Sequence, residues 1–347
     1  MALNVLFLPG DGIGPEVTSV AFDVLNSVAE TFGMSVSTEH AAFGGAAIDQ
    51  TGSPYPDDTR QRVALADAVF LGAVGGPKWD GGVVRPEQGL LDLRRDLKVF
   101  ANLRPTRVEP GLVERSPLKA ETIKGTDFVI VRELNGGIYY GQRVEGMDKA
   151  SDQCAYSKEE VQQVARVAFI AARERSGKLT SVDKANVLAT SRLWRSAVSE
   201  LQQQEFSDVA LEHVLVDAMA MHLITRPTAF DVILTENMFG DILSDEASVL
   251  SGSIGLAPSA SLGTGPGLYE PIHGSAPDIA GQGLANPAGA IMSIAMLVRY
   301  TAKNENAAST IEAAVRRTLE GGTATRDLGG DASTQSFATA VLSNLRH

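Results

Sequence analysis

The chain has a single cysteine, Cys154, among 347 residues. No intrachain disulfide can form, and a lone free thiol fits a reducing compartment. Histidine is also scarce, at five residues. One cysteine and few histidines argue against a structural zinc site. No run of 18 apolar residues occurs. The most apolar stretch, residues 288–298, is too short to span a bilayer and reads as a buried helix. The start of the chain lacks a basic n-region and a cleavage site, so the cytoplasm is the expected location. Basic residues are outnumbered 30 to 42, for a net charge of -12. That balance disfavours nucleic acid and anionic membranes as partners. It leaves room for an anionic small molecule held by local arginines. No internal repeat is visible.

What is present is the composition of a soluble globular protein, 44% hydrophobic and 21% charged. The length suits two domains. Strand-like and helix-like segments alternate, which indicates an α/β class. Residues 4–9 (NVLFLP) read as a central strand. A helix follows with Pro15 in its first turn, Val17, Val20, Ala21, Val24, Val28 and Phe32 at helical spacing, and Gly33 as its stop. Further strands are expected at 34–39, 67–74, 99–103, 127–132, 179–183, 209–216 and 231–234. Helices are expected around 193–201, 240–250, 311–319 and 337–345. Ser157 and Glu160 form a capping box ahead of another. Asn286-Pro287 reads as a cap and first residue, and Gly321-Gly322 as a left-handed stop. Residues 251–283, rich in Gly, Ser, Ala and Pro, read as turns that let a backbone approach a ligand. Residues 135–156 are Gly-rich and polar, which suits an arm or an active-site element better than a plain loop.

Several groups carry chemistry. Gly10-Asp11-Gly12-Ile13-Gly14 lies between strand and helix, but its GxGxG spacing is not the dinucleotide fingerprint GxGxxG. It is expected to be a turn at the rim of a cleft. Arg94, Arg95, Arg104 and Arg132 are candidates for gripping carboxylates, with solvated surface arginine as the alternative. Arg132 ends an apolar strand, where open sheets place ligands. Asp241 and Asp245 stand four apart on one helix face, so a divalent ion would relieve their repulsion; helix-terminal acids are the other reading. Asp217, at the end of the strand at 209–216, is a possible third ligand. Tyr139 could donate a proton, and a desolvated Lys184 could act as a base; packing and surface charge remain open for each.

Together, GDGIGPE (10–16), LLDLRRDLKVFANLRP (90–105), RELNGGIYYG (132–141), VDKANVL (182–188), NMFGDILSDEAS (237–248) and YEPIHGSAPDIAG (269–281) with Asn286-Pro287 resemble the isocitrate/isopropylmalate dehydrogenase family over nearly the whole chain. The resemblance implies an α/β, two-domain isopropylmalate dehydrogenase-like fold with a central cleft, not the dinucleotide-binding Rossmann fold. Residues 1–99 with 252–347 would form the cofactor-side domain, and 100–251 the substrate and dimerisation domain, with the arm at 135–156. It implies a homodimer whose active sites are shared.

The resemblance also implies roles. Arg94, Arg104 and Arg132 would clamp the carboxylates of a dicarboxylate substrate. Tyr139 and a partner-contributed Lys184 would be the acid–base pair. Asp241, Asp245 and the partner's Asp217 would hold Mg²⁺ or Mn²⁺, with Asp217 also touching substrate. Glu87, Leu90, Leu91 and the partner's Asn186 and Val187 would border the substrate, the leucines walling an alkyl pocket where an isocitrate enzyme would carry a polar feature. His273, Gly274, Ser275, Ala276, Pro277, Asp278, Ile279 and Asn286 would bind NAD. The implied reaction is NAD-dependent oxidation and β-decarboxylation of (2R,3S)-3-isopropylmalate to 4-methyl-2-oxopentanoate and CO₂, in leucine biosynthesis. Malate, tartrate or homoisocitrate is the alternative substrate. A metal-dependent hydrolase or a silent carboxylate-binding protein would be a different class, but the first leaves the arginines unexplained and the second the intact Tyr139, Lys184 and aspartates.

Overall fold

A computed structural model describes residues 2–346. The chain forms two compact units, Met1–Val99 with Gly252–His347, and Phe100–Ser251. Both are α/β.

In the discontinuous unit the strand order is Val36–His40, Leu3–Gly10, Ala68–Ala73, Gly267–Pro271, Pro258–Gly263. The first four run parallel and the last is antiparallel to its neighbour. Val5, Leu6, Phe7 and Leu8 are all buried, as a central parallel strand covered on both faces requires. The helix Gly14–Thr31 buries Val17, Val20, Ala21, Val24 and Val28, and the chain turns at left-handed Gly33. The helix Ala288–Tyr300 buries nearly its whole circumference and forms the core.

Two features of this unit differ from the sequence reading. Residues 251–283 contain two strands, Pro258–Gly263 and Gly267–Pro271, not turns alone. Their small residues fit beside the Ala288–Tyr300 helix, where a Cβ on Gly289 would meet Ala257 O at 2.8 Å. Pro287 caps that helix instead of opening it, while Asn286 Oδ1 accepts from Ala288 N at 3.0 Å. As read from the sequence, the helix Glu305–Glu320 stops at Gly321-Gly322, with Gly321 as its cap at φ -72 and Gly322 in the left-handed turn.

In the other unit Val99–Arg107 pairs antiparallel with Asp127–Glu133, followed by parallel Val232–Thr235, Lys178–Asp183 and Ala210–Leu215. The first strand runs past Arg104-Pro105, because pairing with Asp127–Glu133 sustains it to Arg107. The Ser157–Glu160 capping box starts the helix Lys158–Arg173. Before it, residues 135–156 form a turn at Gly137–Tyr139 and a small antiparallel pair, Arg143–Val144 with Ser151–Asp152. Val144 and Met147 on that hairpin are exposed. Asp217 does not end a strand: it lies in the first turn of the helix Val216–Thr225, where a carboxylate suits the helix dipole.

Candidate active site

The helix Asn237–Ser248 organises the continuous unit's site. Asn237, Asp241, Ser244 and Asp245 recur on one face. Glu236 caps the helix by accepting from Phe239 N at 3.0 Å. Arg132, 2% exposed, leaves the end of its strand and lies along this face. Its Nη1 donates to Asp241 Oδ1 at 2.5 Å, and its Nη2 to Asn237 Oδ1 at 2.8 Å. Gly240 makes room for the arginine stem, since a Cβ there would sit 2.7 Å from Arg132 Cγ.

Arg104 is also buried. Its Nε donates to Asn102 Oδ1 and its Nη1 to Ser244 Oγ, both at 2.6 Å. The same Nη1 is 3.4 Å from Asp241 and 3.4 Å from Asp245. A guanidinium thus stands between the two carboxylates whose repulsion suggested a cation. Tyr139 donates from its hydroxyl to Asp241 Oδ2 at 3.0 Å. Burial and the Asp241 charge push the phenol above its ordinary range, so it keeps its proton at neutral pH. Burial also raises the Asp245 carboxyl against the pull of Arg104, and the Asp241 charge adds to the rise.

Lys184 follows the strand Lys178–Asp183, and its Nζ donates to Asp217 Oδ1 at 2.6 Å, which lowers the Asp217 carboxyl. Buried Asp183 anchors this turn, accepting from Ala185 N at 2.8 Å and from Arg195 at 2.8 and 2.9 Å. Asn186 is exposed beside Val187, which is 63% exposed. Among the described residues, no three His, Cys, Asp or Glu side chains of one chain gather as a metal cage. Asp241 and Asp245 fit Mg²⁺ or Mn²⁺ by donor type and remain partly accessible.

In the discontinuous unit Glu87, Leu90, Leu91 and Arg94 share one face of the helix Pro86–Asp96. Arg94 is buried and donates to Glu270 Oε1 at 2.9 Å, whereas Leu90 and Leu91 are half-buried. The glycine loop is a buttress. Asp11 fills it, accepting from Gly45, Ala46 and Gly75 N at 2.8, 2.7 and 2.8 Å. Gly12, at φ 57, lies so close to Ser275 that a Cβ would be 1.9 Å from its carbonyl oxygen. Ile13 N donates to that oxygen at 2.8 Å, and Glu16 accepts from Gly281 N at 2.6 Å.

The segment so held contains the expected cofactor residues. His273 is buried with its Nδ1 2.9 Å from Gly274 O, and its Nε2 has no hydrogen-bond partner among the described residues. Burial keeps the imidazole below its usual range, hence neutral. Ala276 is left-handed at φ 37, a conformation that costs a non-glycine residue roughly 1–2 kcal/mol and is common at ligand clamps. Gly274, Pro277 and Asp278 are exposed, and Ile279 N closes the turn onto Ala276 O at 3.1 Å. Asn286 Nδ2 donates to Asp327 Oδ2 at 2.9 Å. An orphaned buried ring nitrogen and an exposed carboxylate beside a strained turn fit a nucleoside.

The sequence reading did not single out Asn102, Asn237, Ser244 or Asp327. The first three lie inside the quoted motifs, so the arginine contacts could have been sought there; Asp327 carries no signal.

The family described as isocitrate/isopropylmalate dehydrogenase matches residues 4–341. A 3-isopropylmalate dehydrogenase of Streptococcus mutans is 53% identical over 99% of both chains. One from Geobacillus kaustophilus is 56% identical over 94% of this chain and 90% of its own. Among solved structures, an isocitrate dehydrogenase from Methylococcus capsulatus aligns with TM-score 0.90 at 34% identity, covering 99% of this chain and 100% of that one. The chain belongs to the isocitrate/isopropylmalate dehydrogenase family.

Proposed function

We propose that this enzyme oxidises and decarboxylates (2R,3S)-3-isopropylmalate with NAD⁺, yielding 4-methyl-2-oxopentanoate and CO₂ for leucine biosynthesis in the cytoplasm. The observation that carries the substrate is the face on which half-buried Leu90 and Leu91 stand one turn before buried Arg94. Setting a third carboxylate against two leucines would be costly. The curated relatives at 53% and 56% identity bear the matching name. Family membership removes the hydrolase reading.

Arg94, Arg104 and Arg132 grip the carboxylates. Lys184 of the partner subunit accepts the C2 hydroxyl proton, and Tyr139, held protonated, returns a proton to C3 after CO₂ leaves. Asp241, Asp245 and the partner's Asp217 would hold a divalent ion, which would supply Lewis-acid polarisation of the substrate oxygens. His273 to Ile279 and Asn286 would seat NAD⁺, which accepts the hydride. Asp278 suits ribose hydroxyls and repels a 2′-phosphate, with no Lys or Arg from 273 to 286 to compensate. The homodimer is supported by exposed apolar side chains on two consecutive helices, Met221 at 61% and Ile242 at 59%, and by exposed Val187.

The expected kcat/KM favours 3-isopropylmalate over malate. Three buried carbon groups at about 0.8 kcal/mol each give a few tens-fold. Steady-state NADH formation with both substrates measures this ratio, and equal values would reject the alkyl-pocket reading.

A further inference from the structure

Behind Tyr139 lies a pair of buried glutamates that the reaction does not use. Glu133, 2% exposed, ends the strand that carries Arg132. Its Oε1 accepts from Asn135 N at 2.5 Å and its Oε2 from Gly136 N at 2.9 Å. Glu236 spends Oε1 on Phe239 N. Between them stands the Tyr156 hydroxyl, 3.1 Å from Glu133 Oε2 and 3.3 Å from Glu236 Oε2, accepting from Asn237 N at 3.0 Å.

The hydrogen count of this group is short by one. A phenol oxygen has one proton to donate and two lone pairs. Tyr156 already accepts from Asn237, and its proton can satisfy one carboxylate only. The second carboxylate oxygen within reach needs a proton of its own. Glu133 is the better acceptor, because it lies nearer the phenol, at 3.1 Å against 3.3 Å. Glu236 Oε2 faces the Tyr156 hydroxyl at the longer distance, 3.3 Å.

We propose that Glu236 is a neutral carboxylic acid at physiological pH, donating to Tyr156, which in turn donates to Glu133, and that this chain is the positioning device for the turn bearing Tyr139. The turn rests on it physically. A Cβ on Gly136 would lie 2.5 Å from Tyr156 Cε1, and one on Gly137 2.3 Å from the Tyr156 hydroxyl, so two glycines lie flat on the phenol. Asn237 Nδ2 donates to Gly136 O at 3.2 Å while its Oδ1 accepts from Arg132. The proton therefore fixes Tyr156, Tyr156 fixes the Gly136–Gly137 step, and that step delivers Tyr139 to Asp241.

The charged and titratable groups facing the pair are Arg132 on its strand, Glu160 on the helix Lys158–Arg173, Cys154 and Tyr139. Asp183, on the strand Lys178–Asp183, borders the same mostly apolar cavity of about 210 Å³ as Glu236 and Tyr156. Burial raises both glutamates, Glu133 to about 7, and the extra proton belongs to the pair. A carboxyl raised on folding stabilises the protein fully below its unfolded value and loses that contribution as pH climbs through the folded one. For Glu236 the contribution is therefore lost only as pH climbs above the ordinary carboxylate range.

Only the link to Tyr139 rests on the proposed reaction; the proton itself can be measured without turnover. Glu236→Gln replaces a protonated acid by an amide that still presents C=O to Phe239 and N–H to Tyr156. Infrared difference spectra of the wild-type protein at pH 7 should show a protonated-carboxyl C=O band that is missing in Glu236→Gln. As pH rises above the ordinary carboxylate range, denaturant stability of the wild type should fall more steeply than that of Glu236→Gln. If the band is absent from the wild type, or the two slopes coincide, the shared proton is refuted whatever the substrate proves to be. For positioning, Glu236→Gln should keep kcat within about two-fold, since its hydrogen bonds are conserved. Tyr156→Phe should lower kcat roughly ten-fold or more with a smaller change in KM. An unchanged kcat in folded Tyr156→Phe would overturn the positioning role and leave the proposed substrate untouched.

Discussion

Co-refolding Arg94→Ala with Lys184→Ala is expected to restore about a quarter of the activity of wild-type enzyme refolded the same way. Each variant alone should be nearly inactive. Arg94 is a buried guanidinium placed to meet a carboxylate, and Lys184 is the proposed base. The expectation follows from sharing under two-fold symmetry. If Lys184 and Asp217 serve the partner's site while Arg94, Tyr139, Asp241 and Asp245 serve their own, a mixed dimer collects both defects in one site. The other site is then intact. Random pairing makes about half the dimers mixed, each with one good site. The placement of Lys184 supports this reading. It pairs with Asp217 on a turn flanked by exposed Val187, while Tyr139, Arg132 and Arg104 gather around Asp241. Differentially tagged subunits report whether mixing occurred, and mixed dimers with no recovered activity would mean that each site comes from one chain.

Asp241→Asn is expected to lower kcat/KM by roughly 10²-fold or more, because this partly accessible carboxylate is the shared partner of Arg132, Arg104 and Tyr139 and a proposed metal ligand. Asp241 accepts from Arg132 at 2.5 Å and Tyr139 at 3.0 Å, and Arg104 lies 3.4 Å away. The amide carries no charge to answer either guanidinium and offers one acceptor where two donors now converge. It would also be a poor ligand for a hard divalent ion. Steady-state kinetics beside a thermal melt separate this loss from unfolding. A change below ten-fold in a folded variant would displace Asp241 from the centre of the site.

Much of this was legible in the sequence, for local physical reasons. A VLFL run that stops at Gly10 reads as a covered strand, and it is. Asp241 and Asp245 share a face because helical periodicity leaves no choice. Arg132 lies next to the end of an apolar strand and therefore meets whatever packs at that end. The strands Pro258–Gly263 and Gly267–Pro271 were not legible, since PSASLG and GLYEP are shaped by the neighbouring helix more than by β propensity. Asp217 moved from strand to helix because the switch occurs between Leu215 and Val216, within one apolar run. The Glu133–Tyr156–Glu236 chain was hidden for another reason. A glutamate reads as a surface residue until the fold buries it, and these residues are joined across 23 and 80 positions of sequence.

The measurement closest to the proposed chemistry is product stoichiometry with (2R,3S)-3-isopropylmalate, a divalent ion and limiting NAD⁺ or NADP⁺. Each NADH formed should appear with one CO₂ and one 4-methyl-2-oxopentanoate, and Asp278 should make NADP⁺ a far poorer oxidant. Oxidation without CO₂ release, or equal use of NADP⁺, would contradict the proposed reaction.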